Sequence, residues 1–267
     1  MKEVVKFYEQ LPDALSEAPR LSVGWGQLEL ARTQEIMLRH LPAPPKTVLD
    51  IGGAAGVYSG WLGSLGYQMH LIDPVPRHIQ QARQDARIAS AEIGDARQLA
   101  RPDESVDAVL LMGPLYHLTE RGDRLRALAE ARRVLRPGGV LAAAAINHFA
   151  SLLDSLVRGF VDDPRFAPIL EEDLKSGQHR NTTGVPDYFT TAFLHRPEEL
   201  RAELVEAGFA MVELVGVEGP GWLAANFDER WADPARRNRL LDLVRRVGNE
   251  PTLIGVSPHL LAVGQKA

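Results

Sequence analysis

The sequence predicts an α/β fold built around a doubly wound sheet. Short apolar runs alternate with segments of helical periodicity along residues 46–146, which is typical of parallel strands joined by right-handed helical crossovers. A glycine-rich segment, GGAAG at residues 52–56, lies between the first apolar run and the first helix. A chain of 267 residues, 45% hydrophobic and 24% charged, can bury the core that such a sheet needs.

Seven apolar runs predict the strands of the sheet. They are, in order, TVLDI, YQMHLID, SAEIGD, VDAVLLMG, VLAAAAI, AMVELVGVEG and HLLAVGQK. The fourth run is continuously apolar, which suits a central strand covered on both faces. After the first run, apolar residues recur at helical spacing until Gly66 ends the helix. A second helix is predicted from Pro76 to about Ile88.

The chain is predicted to divide into a helical N-terminal segment, residues 1–45, and a sheet domain, residues 46–267. The proline-rich LPAPPKT forms a stiff connection between the two parts. The strand–helix alternation loosens at residues 147–196 and 219–257. These segments are predicted to be insertions that cover the active site.

Composition and charge exclude several functions. The sequence contains no cysteine, which excludes disulfides, thiolate metal sites and cysteine nucleophiles. Histidines and acids show no metal-ligand spacing such as H-x-x-x-H, so we expect no metal. A net charge of -5 favours no nucleic-acid partner.

The sequence also predicts a soluble, cytoplasmic protein without a membrane partner. The N-terminal MKEVVKFYEQLPDALSEAP interrupts its apolar residues with charges and does not resemble a signal peptide. No run reaches the roughly 18 continuous apolar residues that a membrane span needs. The sequence assigns no oligomeric state.

Three aspartates at the ends of predicted strands indicate a nucleoside site. The strand, glycines and helix alone fit a nicotinamide cofactor or S-adenosylmethionine equally well. Asp50 lies two residues before the first glycine, where a carboxylate repels a pyrophosphate but suits a phosphate-free cofactor with an ammonium group. Asp73 ends the second strand and suits two ribose hydroxyls. Asp95 ends the third strand, where it can accept from the adenine amine.

The ordered motifs VLDIGGAAG, LIDP, GDAR, LLMGPLYHL and RVLRPGGVL resemble the class I S-adenosylmethionine-dependent methyltransferases. The resemblance covers residues 46–146 well and 197–265 moderately. GQLELART, GPLYHL and FTTAFLHRPEEL further resemble a bacterial subgroup that acts on small molecules. The resemblance implies a Rossmann-like sheet of seven strands whose last strand is antiparallel. The chain departs from many relatives at Ala54 and Ala55, where another glycine is common.

The resemblance implies cofactor contacts along the ends of four strands. The glycine turn would hold the methionine end, Asp73 would receive the ribose, and Val75 would lie against adenine. The end of the third strand would meet the adenine edge, and the end of the fourth would line the sulfonium side. The implied residues are Asp50, Gly52, Gly53, Gly56, Asp73, Val75, Asp95, Ala96, Met112 and Gly113. Arg32 and Thr33 are candidates for the cofactor carboxylate, or Arg32 forms a surface salt bridge.

Histidine is the natural base for methyl transfer, because its pKa lies near working pH. Tyr116 and His117 follow the fourth strand and are both catalytic candidates; His117 is predicted to be a general base, or else a cofactor or structural contact. His148 follows the fifth strand and is a further catalytic candidate. The expected substrate contacts lie in the insertions, at His179, Tyr188 and Trp222. Aromatic residues there can either cover an apolar acceptor or pack the insertions onto the sheet.

The predicted function is transfer of a methyl group from S-adenosylmethionine to O, N or C of a small organic metabolite. A non-catalytic S-adenosylmethionine-binding protein is an alternative, because a fold does not fix a function. A nicotinamide-dependent oxidoreductase uses the same sheet but is disfavoured by Asp50. A nucleic-acid methyltransferase is disfavoured by the acidic charge balance and by GPLY at the position of its acceptor loop.

Overall fold

The computed structural model describes residues 2–267, with the backbone alone at Ala14, and contains one sheet of nine strands. The strands are β1 (Thr47–Ile51), β2 (Gln68–Asp73), β3 (Ile88–Ile93), β4 (Val106–Leu111), β5 (Leu135–Asn147), β6 (Gln178–His179), β7 (Ala192–His195), β8 (Phe209–Gly216) and β9 (His259–Lys266). Strands β3, β2, β1, β4 and β5 are parallel neighbours in that order. Strand β9 lies antiparallel between β5 and β8. The predicted fold, including the antiparallel last strand, is confirmed.

Two of the nine strands, β6 and β7, have no counterpart among the predicted runs. Both lie in the insertion at residues 147–196. Strand β7 pairs in parallel with the last two residues of β5, Ile146 and Asn147. Strand β6 in turn pairs antiparallel with β7. Strands of two and four residues are too short to produce a readable alternation of side chains.

Helices cover both faces of the sheet and precede it. They are α1 (Lys2–Gln10), α2 (Glu17–Ser22), α3 (Gly26–His40), α4 (Val57–Ser64), α5 (Pro76–Ala82), α6 (Pro114–His117), α7 (Arg121–Val134), α8 (Ala150–Arg158), α9 (Ala167–Ser176), α10 (Pro197–Glu206), α11 (Phe227–Ala232) and α12 (Pro234–Val247). Within residues 2–267, no helix is long and apolar enough to cross a membrane.

Helix α5 ends earlier than the sequence predicts. It stops at Ala82, and Ile88, the predicted last helical residue, is the first residue of β3. The Asp85 carboxylate accepts the backbone N–H of Arg87 at 3.0 Å, which closes a turn between the two elements. An aspartate that bonds the backbone two residues on competes with helical hydrogen bonds, and here the turn prevails.

The N-terminal segment shares its core with the sheet. Leu21 and Ile36 from α2 and α3 are fully buried in the same hydrophobic cluster as Val48 of β1. Leu49 and Ile51 point to the opposite face, into the second large cluster. Alternation along β1 therefore turns each face of the strand toward its own helical layer.

Candidate active site

A cavity lies at the carboxyl ends of β1, β2 and β4, where doubly wound sheets bind their ligands. Its wall is formed by residues between positions 4 and 118. The predicted site residues on this wall are Gly52, Gly53, Asp73, Val75, Asp95, Ala96, Met112, Gly113, Tyr116 and His117. The structure therefore brings together eight of the ten predicted cofactor residues and two of the three predicted catalytic residues.

The glycine turn presents bare backbone to the cavity. Gly52 has φ +72°, and a Cβ at this residue would lie 2.7 Å from Cδ of Pro114. A Cβ at Gly53 would lie 2.5 Å from Oδ2 of Asp50. Both distances are below any real Cβ contact, so glycine is required for the close approach of the turn to its neighbours.

Asp50 and Gly56 lie beneath the turn, outside the cavity wall. The Asp50 side chain is fully buried, and its Oδ2 accepts a hydrogen bond from Ser59 Oγ at 2.7 Å. Burial, reinforced by the negative charge of Asp73, raises the pKa of Asp50 to about 7. Gly56 has φ +91° at the start of α4, and a Cβ there would lie 2.6 Å from Cδ1 of Ile88. Both residues shape the turn from below.

Asp73 connects the glycine turn to α5. Its Oδ2 accepts the N–H of Ala54 at 3.0 Å, and its Oδ1 accepts the N–H of Val75 at 2.9 Å. His78 Nδ1 lies 3.0 Å from the same Oδ1. Oδ2 keeps a lone pair for a ligand hydroxyl, because a carboxylate oxygen accepts two hydrogen bonds. His78 also lies on the wall, although the sequence analysis missed it; its position one turn into α5 was the available signal.

Asp95 lies on the wall but is paired with a neighbouring cation. Arg97 donates to both of its carboxylate oxygens, at 3.0 Å from Nε and 2.6 Å from Nη2, and also binds Asp123 at 2.7 Å. The Arg97 hydrogen bonds hold the pKa of Asp95 below its usual value. Asp95 and Ala96 therefore lie on the wall with the Asp95 carboxylate directed toward Arg97, and their predicted adenine contacts stay predictions.

The end of β4 forms the part of the wall beside the glycine turn, because β4 is the neighbour of β1. Tyr116 donates its hydroxyl to the carbonyl of Met112 at 2.9 Å. Burial raises the pKa of Tyr116 well above its usual value, so this hydroxyl stays protonated. A Cβ at Gly113 would lie 3.3 Å from the carbonyl oxygen of Gly52. The two turns therefore approach each other across the cavity floor.

His117 is held between the insertion and the N-terminal segment. Its Nδ1 lies 3.2 Å from the carbonyl oxygen of Thr191, which requires the proton on Nδ1. Its Nε2 lies 2.9 Å from the Tyr8 hydroxyl. Burial lowers the pKa of His117 to about 4 and raises that of Tyr8, so both side chains are neutral near pH 7. The Tyr8 hydroxyl consequently donates to Nε2.

The N-terminal segment covers the cavity, a role that the sequence analysis did not give it. Arg77 of α5 fixes the segment by donating to Leu11 O at 2.7 Å and to the Glu9 side chain through its own N–H at 3.1 Å. Thr191 Oγ1 donates to Glu3 at 3.0 Å from the insertion side. The wall residues that it contributes are Val4, Tyr8, Leu11, Ser16 and Glu17. The predicted covering by the insertions stays a prediction.

The remaining predicted histidines lie away from the cavity wall and are bonded within the protein. His148 Nε2 lies 3.0 Å from Nη2 of Arg196. His179 has both ring nitrogens next to oxygens, with Nδ1 2.9 Å from Asp173 Oδ2 and Nε2 2.7 Å from the Tyr188 carbonyl. Their predicted catalytic and substrate-binding roles stay predictions.

Tyr188 and Trp222 also lie away from the wall. Tyr188 is packed inside the first insertion, and its hydroxyl donates to Asp163 Oδ2 at 2.5 Å. Trp222 donates from Nε1 to the Val256 carbonyl at 2.9 Å and packs edge-on against Trp25. These contacts agree with the alternative in which the aromatic residues pack the insertions. The predicted substrate contacts of Tyr188 and Trp222 remain predictions.

Arg32 and Thr33 are buried in α3, outside the cavity wall. Arg32 Nη1 donates to Glu35 at 2.6 Å, so Arg32 forms a salt bridge, as one of its two predicted roles requires. The Arg32 side chain is buried, however, and does not lie on the surface.

Glu29, Glu218 and His259 bring their ligand atoms within 4.8 Å of one another. His259 Nδ1 lies 2.6 Å from Glu218 Oε1. Although burial opposes it, the charges of Glu29 and Glu218 raise the pKa of His259 to about 9. The imidazolium therefore supplies the positive charge at this cluster. The expectation of no metal stays a prediction.

The wall fits a cofactor that is positively charged and carries no phosphate. It combines the bare glycine backbone with three acids, Glu17, Asp73 and Asp95. Its arginine, Arg77, is already bonded to the N-terminal segment. Such a wall repels a diphosphate and attracts a sulfonium or an ammonium group. The fold and the cavity define a nucleoside-binding, doubly wound protein.

Comparison with known proteins identifies the family. A family model described as "Methyltransferase domain" matches residues 49–143. A ubiquinone biosynthesis O-methyltransferase of Caulobacter vibrioides is 30% identical over 209 residues, which are 76% of this chain and 73% of that protein. Another, of Azorhizobium caulinodans, is 28% identical over 202 residues, 71% of this chain and 72% of that protein.

A solved structure supports the fold. The S-adenosylmethionine-dependent methyltransferase of Mesorhizobium loti matches with a TM-score of 0.60 at 17% identity, over 89% of this chain and 99% of that one. The chain belongs to the S-adenosylmethionine-dependent methyltransferases. It is an enzyme that transfers a methyl group from this cofactor to a small organic acceptor, and the predicted function is confirmed at this level.

Proposed function

We propose that the acceptor atom is oxygen and that the acceptor is a small, apolar or aromatic hydroxyl compound. The two relatives named above carry the name O-methyltransferase. The N-terminal side of the cavity supports an apolar acceptor, because Val4 and Leu11 line it together with Tyr8. When bound, S-adenosylmethionine supplies a methyl group on a positively charged sulfur.

The cofactor-holding residues of this proposal are those on the wall. The backbone of Gly52 and Gly53 allows close approach, and Asp73 offers Oδ2 to the ribose hydroxyls. Tyr116 keeps the end of β4 in place by bonding the Met112 carbonyl. Alignment of the two reactants by such a preformed wall supplies much of the rate acceleration in a displacement reaction.

The observation that carries the proposal is the Tyr8–His117 pair. The Tyr8 hydroxyl donates to Nε2 of a neutral histidine whose other nitrogen is fixed by Thr191. The phenol oxygen therefore keeps its lone pairs for the proton of an acceptor hydroxyl, while the Tyr8 proton moves to His117 Nε2. Because burial lowers the pKa of His117 to about 4, His117 is a weaker base than the sequence analysis expects; it holds the proton only during the transfer and releases it to water at neutral pH.

We also propose that the acceptor is not a nucleic acid, which the net charge of -5 supports. The cytoplasmic location expected from the sequence remains a prediction.

The proposal is tested with Tyr8→Phe and His117→Ala and a panel of small phenols, alcohols and amines. We expect methylated phenols from the wild type, and a loss of turnover on the order of 100-fold in both variants, since proton transfer contributes about that much. Affinity for S-adenosylhomocysteine should fall less than turnover. Tyr67→Phe is the matched control, because its hydroxyl bonds the Pro42 carbonyl before β1, at the opposite end of the sheet.

Two results would contradict the proposal. Methylation of amines alone would exclude oxygen as the acceptor atom. Wild-type turnover in both variants would remove the Tyr8–His117 pair from the reaction.

A further inference from the structure

We propose that Glu17, at the start of α2, receives the α-ammonium group of the bound methyl donor. The resemblance assigned the methionine end to the glycine turn with Asp50. This inference rests on the cofactor binding of the function proposed above.

Asp50 is badly placed to meet an ammonium group. Its side chain has no exposed surface and lies beneath the turn, with Oδ2 2.5 Å from the position of a Gly53 Cβ. One oxygen is occupied by Ser59 at 2.7 Å. Because burial raises its pKa to about 7, Asp50 is only partly ionised near neutral pH. Its other oxygen, Oδ1, is buried without a hydrogen-bond partner among the described residues, and the predicted cofactor contact of Asp50 stays a prediction.

The other acids of the wall lie at the ends of β2 and β3, where the ribose and the adenine are expected. Asp73 accepts three hydrogen bonds from the turn and from α5. Asp95 is paired with Arg97 through both oxygens. Glu17 is as exposed as Asp95, at 36% against 38% of the side chain, but it lies on α2 and not at a strand end. Each of its oxygens accepts one hydrogen bond from Arg20, and each keeps a lone pair.

Glu17 faces the end of the cavity that the methionine moiety is expected to occupy. Tyr58, in the first turn of α4, and Tyr116, beside the end of β4, line the same cavity as Glu17. Arg20 links Glu17 to Glu29, whose Oε2 lies 3.6 Å from Nδ1 of His259. Because His259 pairs with Ile146 near the carboxyl end of β5, Glu17 is tied to the β5 side of the cavity and not to the β3 side, where Asp95 lies.

A chain of ion pairs fixes this carboxylate. Arg20 donates to both oxygens of Glu17, at 3.0 and 2.9 Å, and to both oxygens of Glu29, at 2.6 and 2.8 Å. Glu29 is buried on α3, which is packed into the sheet core. A bidentate arginine holds a carboxylate more rigidly than a lysine can. The recognition group is thus positioned before any ligand arrives.

The test compares S-adenosylhomocysteine with 5′-methylthioadenosine, which has the same adenosyl thioether without the amino-acid end. In calorimetric titrations, Glu17→Gln is expected to weaken S-adenosylhomocysteine about ten-fold and to leave methylthioadenosine unchanged. Asp73→Ala is expected to weaken both ligands. Glu172→Gln, in the exposed part of α9, is the matched control and should change neither.

Each outcome is decisive. Retained methylthioadenosine binding shows that Glu17→Gln is folded. Equal weakening of both ligands by Glu17→Gln, or no weakening of either, overturns the proposal. Failure of the wild type to bind S-adenosylhomocysteine contradicts instead the cofactor assignment on which it rests.

Discussion

Two acid–histidine pairs of the molecule are alike in chemistry and unlike in setting. Asp73 and His78 lie 3.0 Å apart at the end of β2, and Asp173 and His179 lie 2.9 Å apart in the first insertion. All four side chains are buried. The first pair lies on the cavity wall, whereas the second is surrounded by protein.

The difference lies in what each pair leaves available. Asp73 keeps a lone pair toward the cavity. In the second pair, His179 Nε2 faces the Tyr188 carbonyl at 2.7 Å, and Asp173 also accepts the Ser151 hydroxyl. A buried pair whose polar atoms are all bonded within the protein holds the insertion together, whereas one at a strand end can bind a ligand.

The largest expected effect comes from breaking the enclosed pair. Asp173→Ala leaves His179 buried without its carboxylate, and removal of one partner of a buried pair costs about 3–5 kcal/mol. We expect the free energy of unfolding in urea to fall by that amount. Affinity of the folded variant for S-adenosylhomocysteine should stay at the wild-type value; a marked loss of affinity would show that the insertion belongs to the cofactor site.

A third pair, Glu218 with His259, gives stability a pH dependence. Its imidazolium has a pKa of about 9, above the ordinary 6.5, so its contribution is complete below pH 6.5 and is lost as pH rises through 9. The free energy of unfolding is expected to fall by about 3 kcal/mol over this pH range. Urea unfolding between pH 6.5 and 9.5 should show this decline in the wild type and a flatter curve in His259→Gln. Parallel curves would contradict the ion pair.

The smallest effect concerns the pair on the cavity wall. Asp73→Ala is expected to weaken S-adenosylhomocysteine binding at least ten-fold, which is about 1.4 kcal/mol. Calorimetry measures this directly. Unchanged affinity in Asp73→Ala would contradict the ribose contact of Asp73. It would also contradict the claim that only the Asp73–His78 pair takes part in ligand binding.

Seven of the nine strands, and the wall residues at the strand ends, could be predicted from the sequence because both depend on local patterns. Apolar runs specify strands, and acids or glycines that follow them reach the same sheet edge. The burial of Asp50 was not predictable in this way, because β-strand alternation places it below the turn only once the helix packs on that face.

The N-terminal contributions could not be predicted for a different reason. Tyr8 and His117 are 109 positions apart, and nothing in either local sequence specifies their 2.9 Å contact. Glu17 belongs to a six-residue helix whose charges resemble an ordinary solvated surface. The bonds that enclose His179 likewise depend on the fold of the whole insertion. Long-range packing decides which polar residues face the cavity.

The most direct test of the central claim is a titration of the purified wild type with S-adenosylhomocysteine and, separately, with NADH. An acidic cavity with bare glycine backbone is expected to bind one equivalent of the adenosyl ligand and to bind NADH at least a hundred-fold more weakly, a difference of about 2.7 kcal/mol. Tight binding of NADH, with S-adenosylhomocysteine ignored, would contradict the account.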